Sequence, residues 1–563
     1  MATTDLATAP TPGLRRRTPT LREWLAPAIP GSALLGWLGP LLVTALAGYL
    51  RFYRLGTPKA VVFDETYYAK DALALWKFGW EHNTADNADK MLIADKNANI
   101  WTDGPSFVAH PPMGKWMIAI GEWMFGATPF GWRFVPALVG TLSVLILCRV
   151  ARRMTGSTLL GCAAGLLLAL DGLQFVTSRA ALLDIFVMFW VLAGFACLVN
   201  DRDRSRRILA EKIEAGHTSG YGPFLAHGWR YGAGVCLGLA CATKWTGLFY
   251  IAAFGLMVVL WDYGARRAAA VRQPLTGTLL FEAGPAFVQL VVVALGVYLA
   301  SWWGWIFRPG GWGRGEASGN LLWRPFEAMP KLWHYHKEML HFHTGLDAKH
   351  PYQSWPWDWP ILRRPVAFFY TEPKGGCGAA RCSREILGIG TPALWWGALI
   401  ALVGVLFIWL VLRDWRAGAV VLGFLAGWLT WFPSAFADRT MFLFYATPMI
   451  PFMVLAVVLV IGYLVGPAPT AAVGAHAPSI PRVAPADDGY GHAFDEYGPD
   501  AGASAVRPPP PPAAGVRRVA GAAAAGAFLL VVLANFAYFY PILAAQTLPY
   551  DDWHARIWFG TWI

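Results

Sequence analysis

The sequence predicts an all-α polytopic membrane protein, and three observations carry that prediction. Hydrophobic residues make up 56% of the 563 positions and charged residues only 14%, with a mean hydropathy of +0.41. A soluble globule carries about a quarter charged residues. Apolar runs of about 17 to 25 residues, the length that crosses a bilayer, recur along the chain. Most Lys and Arg residues fall in short polar stretches between those runs, as expected of cytoplasmic loops. The formal net charge of +11 therefore reads as a mark of topology, and no nucleic-acid partner is expected from it.

Residues 1–30 are rich in Thr, Pro and Ala and carry Arg15, Arg16, Arg17 and Arg22. They read as a disordered cytoplasmic tail that fixes the N-terminus inside. The first apolar run stands behind about thirty polar or Pro-rich residues, so it reads as a retained span and not as a cleaved signal. Spans are expected near 32–50, 131–150, 157–176, 180–199, 230–243, 245–262, 281–304, 392–412, 417–433, 441–465 and 519–540, eleven in all. The expected cytoplasmic loops then hold Arg152 and Arg153, Arg202 to Lys212, Arg266, Arg267 and Arg272, Arg413 and Arg416, and Arg507, Arg517 and Arg518. The tail from Pro541 to Ile563 falls outside.

Two long connections, 51–130 and 305–391, also fall outside in this topology. Within the first, Thr66 to Trp80 and Gly114 to Phe125 have the amphipathic pattern of interfacial helices. The second is crowded with Trp, His and Pro, and a long outer loop of this kind is more often functional than a plain connector. Residues 31–465 are thus expected to form the transmembrane core. Residues 466–516, rich in Ala, Pro and Gly with an acidic patch at Asp487, Asp488, Asp495 and Glu496, are expected to be a disordered cytoplasmic linker. Residues 517–563 supply the last span and an extracytoplasmic tail. Of the seven cysteines, Cys148, Cys162, Cys197, Cys236 and Cys241 lie in or beside apolar spans and read as packing residues. Cys377 and Cys382 sit in a polar, Gly-rich loop and are a disulfide candidate if that loop faces an oxidising compartment.

The chemistry is expected at Asp64-Glu65, just beyond the first span. Carboxylates near hydrocarbon persist when they are paired, solvated or used. Taken alone, this pair reads equally well as a surface ion pair with Arg51 or Arg54. Polar residues at the expected outer ends of other spans supply partners: Arg133, Arg179, Asp184, Lys244 and Arg439. Several cations and two or three carboxylates at one depth suit a lipid-linked phosphate. The cations would neutralise the leaving phosphate while a carboxylate takes a proton. Each Arg or Lys, considered singly, also fits snorkelling to the headgroups. His334, His336, His341 and His343 form two His-x-His pairs without an acidic or thiol ligand at suitable spacing. They read as interfacial rings packed among aromatics and not as a metal site. Trp355, Trp357 and Trp359 read either as a headgroup belt or as the wall of a sugar or peptide groove.

An ordered set of motifs adds a resemblance. Phe63-Asp64-Glu65, His110-Pro111-Pro112-Met113-Gly114-Lys115, Gly131-Trp132-Arg133, Ser178-Arg179 with Leu182-Leu183-Asp184, and Thr243-Lys244-Trp245-Thr246-Gly247-Leu248 come first; His350-Pro351-Tyr352 with Ser354 and the stretch Arg439 to Pro448 follow. Together they resemble the protein O-mannosyltransferase family of the GT-C membrane glycosyltransferases. The resemblance implies the GT-C architecture and inverting transfer of mannose from polyprenyl or dolichyl phosphate mannose to Ser or Thr hydroxyls of exported proteins, outside the cell membrane. It implies Asp64 as general base, assisted by Glu65. Arg51, Arg133 and Lys244 match family positions important for donor handling or local structure; Arg179 and Arg439 are further candidates for the donor phosphate, and His110, Lys115, Asp184, Trp245 and Tyr352 are candidates for substrate contact. No metal or other cofactor is implied. The implied partners are the lipid-linked donor, the protein acceptor and the surrounding lipids, with secretion machinery as a further candidate. The 305–391 loop is too short for the β-trefoil domain of eukaryotic members, so the resemblance is to the bacterial branch. Two readings compete: a GT-C enzyme acting on a cell-envelope glycolipid, and a non-enzymatic flippase or transporter, whose internal repeats are not evident.

Overall fold

The computed structural model describes residues 20–217, 219–466 and 511–563. Among the described residues, nine helices are long and apolar enough to cross a membrane: Ala33–Phe52, Pro129–Thr155, Asp184–Glu214, Gly247–Ala268, Pro274–Ser301, Pro392–Leu412, Trp415–Phe436, Leu443–Val465 and Gly515–Leu543. Each overlaps an expected span. Side-chain caps fix where several begin. Ser32 Oγ accepts from Leu35 N at 3.1 Å, and Thr128 Oγ1 accepts from Gly131 N at 3.1 Å ahead of Pro129. Such caps satisfy amide groups that the first turn leaves unpaired.

The other two expected spans are shorter helices. The run at 157–176 is broken into Thr158–Ala169 and Gly172–Thr177. The break lies at buried Asp171, whose Oδ1 caps the second helix at Gln174 N (2.8 Å) while Oδ2 accepts from Trp395 Nε1 (2.6 Å). The run at 230–243 is Gly228–Cys241, 14 residues, or about 21 Å at 1.5 Å per residue against a hydrocarbon core of about 30 Å. The helices at 184–214 and 443–465 are the most enclosed of the nine and form the centre of the bundle.

The expected disorder at 1–19 and 467–510 falls outside the described residues. Within the remainder of the expected tail, Leu21–Leu25 is a helix with a reciprocal Thr20/Glu23 capping box, and Leu25 is buried. At the other linker boundary, helix begins at Pro511, ahead of the expected last span.

The two long connecting regions frame one end of the bundle. In the first, Glu65–Phe78 and Met113–Phe125 are helical, as their amphipathic patterns predict. A short helix Ala88–Ala94 and a hairpin, β1 (His82–Thr84) with β2 (Trp101–Pro105), lie between them. In the second, the His-rich stretch is the helix Arg324–Thr344. A three-stranded antiparallel sheet follows, in the order β3 (Val366–Thr371), β4 (Cys382–Gly388) and β5 (Thr547–Pro549). This sheet is an addition to the all-helical expectation. Cys377 and Cys382 form a disulfide across the β3–β4 connection, with Cα atoms 5.9 Å apart.

Candidate active site

The loop ahead of helix Glu65–Phe78 is gathered around one guanidinium. Arg133, buried near the start of its span, donates to Glu65 Oε1 (Nε, 2.7 Å) and Oε2 (Nη2, 2.8 Å), and to the carbonyls of Pro58 (3.0 Å) and Ala60 (2.8 Å). The buried Glu65 carboxylate also accepts from Val62 N at 3.0 Å and Ala181 N at 3.1 Å. Its charge is therefore fully compensated, the condition for burying a carboxylate. Glu65 is an organiser of the loop and faces no open space in which to assist a reaction.

Asp64, one residue earlier, is left to face outward from this knot. Burial raises its carboxyl from the ordinary 3.8 to about 7; Lys244 opposes the rise and Asp184 adds to it. A carboxylate that titrates near neutrality is suited to accept a proton. Lys244 Nζ pairs with Asp184 Oδ2 at 2.8 Å and stands 4.9 Å from the ring centre of Tyr445. Lys244 lies just past the end of helix Gly228–Cys241, so Asp64, Asp184 and Lys244 converge from three elements.

The His-Pro-Pro turn closes one side. Met113 N donates to Ala242 O at 3.0 Å, two residues before Lys244. Gly114 permits this approach, because a Cβ there would stand 2.7 Å from Leu183 Cδ2 and 2.9 Å from Thr243 Cγ2. Lys115 ties the turn down by an ion pair with Glu81 and a 3.1 Å bond to His110 O. His110 is held well below 6.5 by burial and by the charges of Lys244, Lys115 and Arg439, so its ring is neutral. His343, 5.1 Å from it ring to ring, is pushed down to about 4 by burial and Arg439. The contacts agree with a neutral tautomer: Nε2–H donates to Ala109 O (2.7 Å), and Nδ1 accepts from Arg439 Nη2 (3.3 Å).

All five expected cations are engaged by protein groups, Lys244 by Asp184 and Arg439 by His343 and the Thr440 carbonyl, and they differ in what lies near them. Lys244 stands beside Asp64, and Arg439 borders the same wall through His343. Arg133 is saturated by Glu65 and backbone carbonyls. Arg179 donates to the carbonyls of Leu50 (3.2 Å), Arg51 (2.6 Å) and Tyr53 (2.9 Å), closing the end of the first span. Arg51 is buried against Gln174 and Ala47 O. These three arginines brace the frame through protein acceptors, although Arg51 Nε is buried without one.

Trp245 donates to Tyr298 Oη at 3.0 Å and stacks on His336 at 5.9 Å. Tyr352 packs by His350 and Arg364. Trp359 is buried with Nε1 donating to Ser354 Oγ at 3.0 Å, whereas Trp355 and Trp357 stack on each other at 5.7 Å. The sequence reading missed Tyr68, one helical turn beyond Asp64 and buried. Burial and the charge of Asp64 hold its phenol well above 10, and so protonated. Position i+4 from the carboxylate was the available signal.

Among the described residues, one group has the make-up of a cation site: His227, Asp262 and Glu282. Its positions are filled from within. His227 faces Asp201 (2.8 Å) and Glu282 (2.6 Å) through its two nitrogens, Arg230 forks onto Asp262 at 2.8 and 2.7 Å, and Arg266 pairs with Glu282. Three carboxylates against two guanidiniums and an imidazolium form a neutral cluster. It ties the far end of helix Gly228–Cys241 to the bundle.

The chain matches two family models: dolichyl-phosphate-mannose–protein mannosyltransferase over residues 41–273, and the C-terminal four-transmembrane region of protein O-mannosyltransferase over residues 328–562. It is 36% identical over 543 residues to a polyprenol-phosphate-mannose–protein mannosyltransferase of Mycolicibacterium smegmatis, covering 94% of this chain and 93% of that protein. The similarity to the protein of the same name from Mycobacterium tuberculosis is 36% over 548 residues, 95% of this chain and 93% of that one. In structure it resembles the Saccharomyces cerevisiae protein O-mannosyltransferase Pmt1-Pmt2 complex bound to the sugar donor, with a TM-score of 0.63, 14% identity and 95% of both chains covered. That likeness shows the shared membrane glycosyltransferase fold. With family models spanning most of its length and relatives above a third identical over nearly all of it, this chain belongs to the protein O-mannosyltransferase family.

Proposed function

We propose that this protein transfers mannose from a polyprenyl phosphate mannose to Ser or Thr hydroxyls of exported proteins, at the extracytoplasmic face of the membrane and with inversion at the anomeric carbon. The observation that carries the reading is Asp64, half-buried and poised near neutrality under the influence of Lys244, on a loop locked by the Glu65–Arg133 pair. In the reaction, the acceptor oxygen attacks the anomeric carbon as Asp64 takes its proton. The bond from that carbon to the phosphate oxygen breaks, and the phosphate departs with its electron pair. Lys244, with Arg439 behind it, faces the charge that develops. Sugar phosphates leave without protonation, so one base and a cationic wall suffice for a single inverting displacement.

The orientation follows the basic residues. Arg152 and Arg153, Arg202 to Lys212, Arg266 and Arg267, and Arg413 and Arg416 flank the end of the bundle remote from Asp64. The positive-inside rule puts that end in the cytoplasm. The Cys377–Cys382 disulfide then lies in the oxidising compartment. Residues 31–465 act as the catalytic core in this reading, with no metal or other cofactor required.

The test is purified protein, polyprenyl phosphate mannose carrying a labelled sugar, and a Ser/Thr-rich peptide, with and without a chelator. Label enters the peptide in both conditions, and Asp64→Asn abolishes the transfer. Label appearing in a lipid product would point to a glycolipid acceptor. Loss of transfer with chelator would establish a metal requirement.

A further inference from the structure

Phe63, immediately before the base, has a backbone φ of +46°. A non-glycine residue holds this left-handed conformation only where its surroundings enforce it. Here the enforcement is aromatic. The Phe63 ring stacks on Phe368 of strand β3, with centroids 5.1 Å apart and planes 7° from parallel. Phe444 (5.6 Å), Phe442 (5.9 Å) and His350 (6.3 Å) meet it edge-on. The clamp reaches the cation as well, since Lys244 Nζ lies 5.8 Å from the centre of the same Phe444 ring. Phe444 therefore touches both the residue that aims the base and the ammonium that faces it.

We infer that Phe63 is a positioning residue for the transfer: its ring, clamped between Phe368 and the Phe442–Phe444 pair, sets the direction of the Asp64 carboxylate relative to Lys244. The Glu65–Arg133 knot fixes the chain on one side of Asp64, and the aromatic clamp fixes it on the other. Between them, the backbone that carries the base is held from both sides. This inference rests on the transfer reaction proposed above.

Initial rates of mannose transfer to a Ser/Thr-rich peptide test it in Phe63→Ala, Phe63→Gly and Phe368→Leu, beside wild type and Asp64→Asn. A displacement near 1 Å costs a reaction about 10²-fold. Phe63→Ala is therefore expected to lose about that much in kcat, with the KM for donor little changed. The acid limb of its pH profile should move to lower pH as the carboxylate gains water. Glycine adopts a positive φ freely, so Phe63→Gly separates backbone strain from the ring. It is expected to lose kcat like the alanine variant, and wild-type kcat in Phe63→Gly would overturn the assignment. If Phe63→Ala fails to yield a monodisperse protein, Phe368→Leu removes the stacked partner from the strand side, and wild-type kcat with an unmoved pH profile there also overturns it. A wild type that transfers no mannose, or an Asp64→Asn variant that does, defeats the proposed reaction and not the clamp.

Discussion

Lowering the pH from 8 to 6 across the Asp64 titration gives the sharpest test of the base. Its carboxyl lies at about 7, and burial is the largest cause. Raising it there from 3.8 costs the ionised form about 4 kcal/mol in the folded protein, at 1.36 kcal/mol per pH unit. The base must be unprotonated to act. Its ionised fraction is about ten-elevenths one unit above the midpoint and about one-eleventh one unit below, so kcat/KM should fall about tenfold between pH 8 and 6. An exposed carboxylate would leave the profile flat over that range. Lys244 pulls the titration down, so Lys244→Met should move the acid limb to higher pH as well as lower its plateau. The assay is kcat/KM for peptide at subsaturating acceptor in buffers of constant ionic strength, with circular dichroism confirming the fold at each pH. A flat wild-type profile from pH 6 to 8, or a limb that Lys244→Met moves downward, would refute the argument.

The same titration has a consequence of opposite sign for stability. A carboxyl raised on folding destabilises the folded state progressively as pH rises from about 4 to 7. Asp64→Asn should melt higher than wild type at pH 8 and equally at pH 4, as scanning fluorimetry would read. Arg133→Met leaves Glu65 buried and unpaired and should cost about 3–5 kcal/mol. Glu65→Gln puts an NH2 where one oxygen accepted, so only one of Val62 N and Ala181 N keeps its acceptor and buried Arg133 loses its counter-charge; it too should destabilise by about 3–5 kcal/mol, and wild-type melting of either variant would contradict the assigned contacts. Trp562 is fully buried with its Nε1 bonded to Leu362 O at 2.8 Å. Trp562→Ala should destabilise by about 3–5 kcal/mol, and an unchanged melting temperature would disprove that packing. Mass mapping without reductant should recover the Cys377–Cys382 linked peptide, and a reporter fused after Ile563 should read as extracytoplasmic. Two free thiols, or a cytoplasmic reporter, would refute the disulfide or the topology respectively.

Hydropathy made the membrane spans legible because a bilayer imposes one length and one composition on anything that crosses it. It failed at Asp171, where a single buried carboxylate caps a new helix inside an otherwise apolar run. The helices at 65–78 and 113–125, between spans, were legible from their amphipathic period. The sheet was not, since β3 and β4 lie in a Trp- and Pro-rich loop, and β5, only three residues long, joins them from far later in the chain. Within the site, Asp64, Asp184 and Lys244 could be found because each is a charge at the outer end of an apolar stretch. Arg51, Arg133 and Arg179 share that position, but their partners are an amide, a neighbouring carboxylate and backbone carbonyls. Spacing does not encode which acceptor a guanidinium meets. Phe63 and His343 were illegible for a related reason: their roles depend on rings and carbonyls contributed by distant segments.

The pairing of β4 with β5 also bears on biosynthesis. Arg384 reaches Ala545 O at 2.9 Å, and Trp553 donates to Glu385 at 2.6 Å. The platform on which Phe368 stands is therefore closed by residues that leave the ribosome only after the helix ending at Leu543. A nascent chain that has inserted every earlier helix still lacks this brace. Transfer competence should thus arrive late and abruptly during synthesis, leaving a half-made enzyme unable to glycosylate proteins passing beside it.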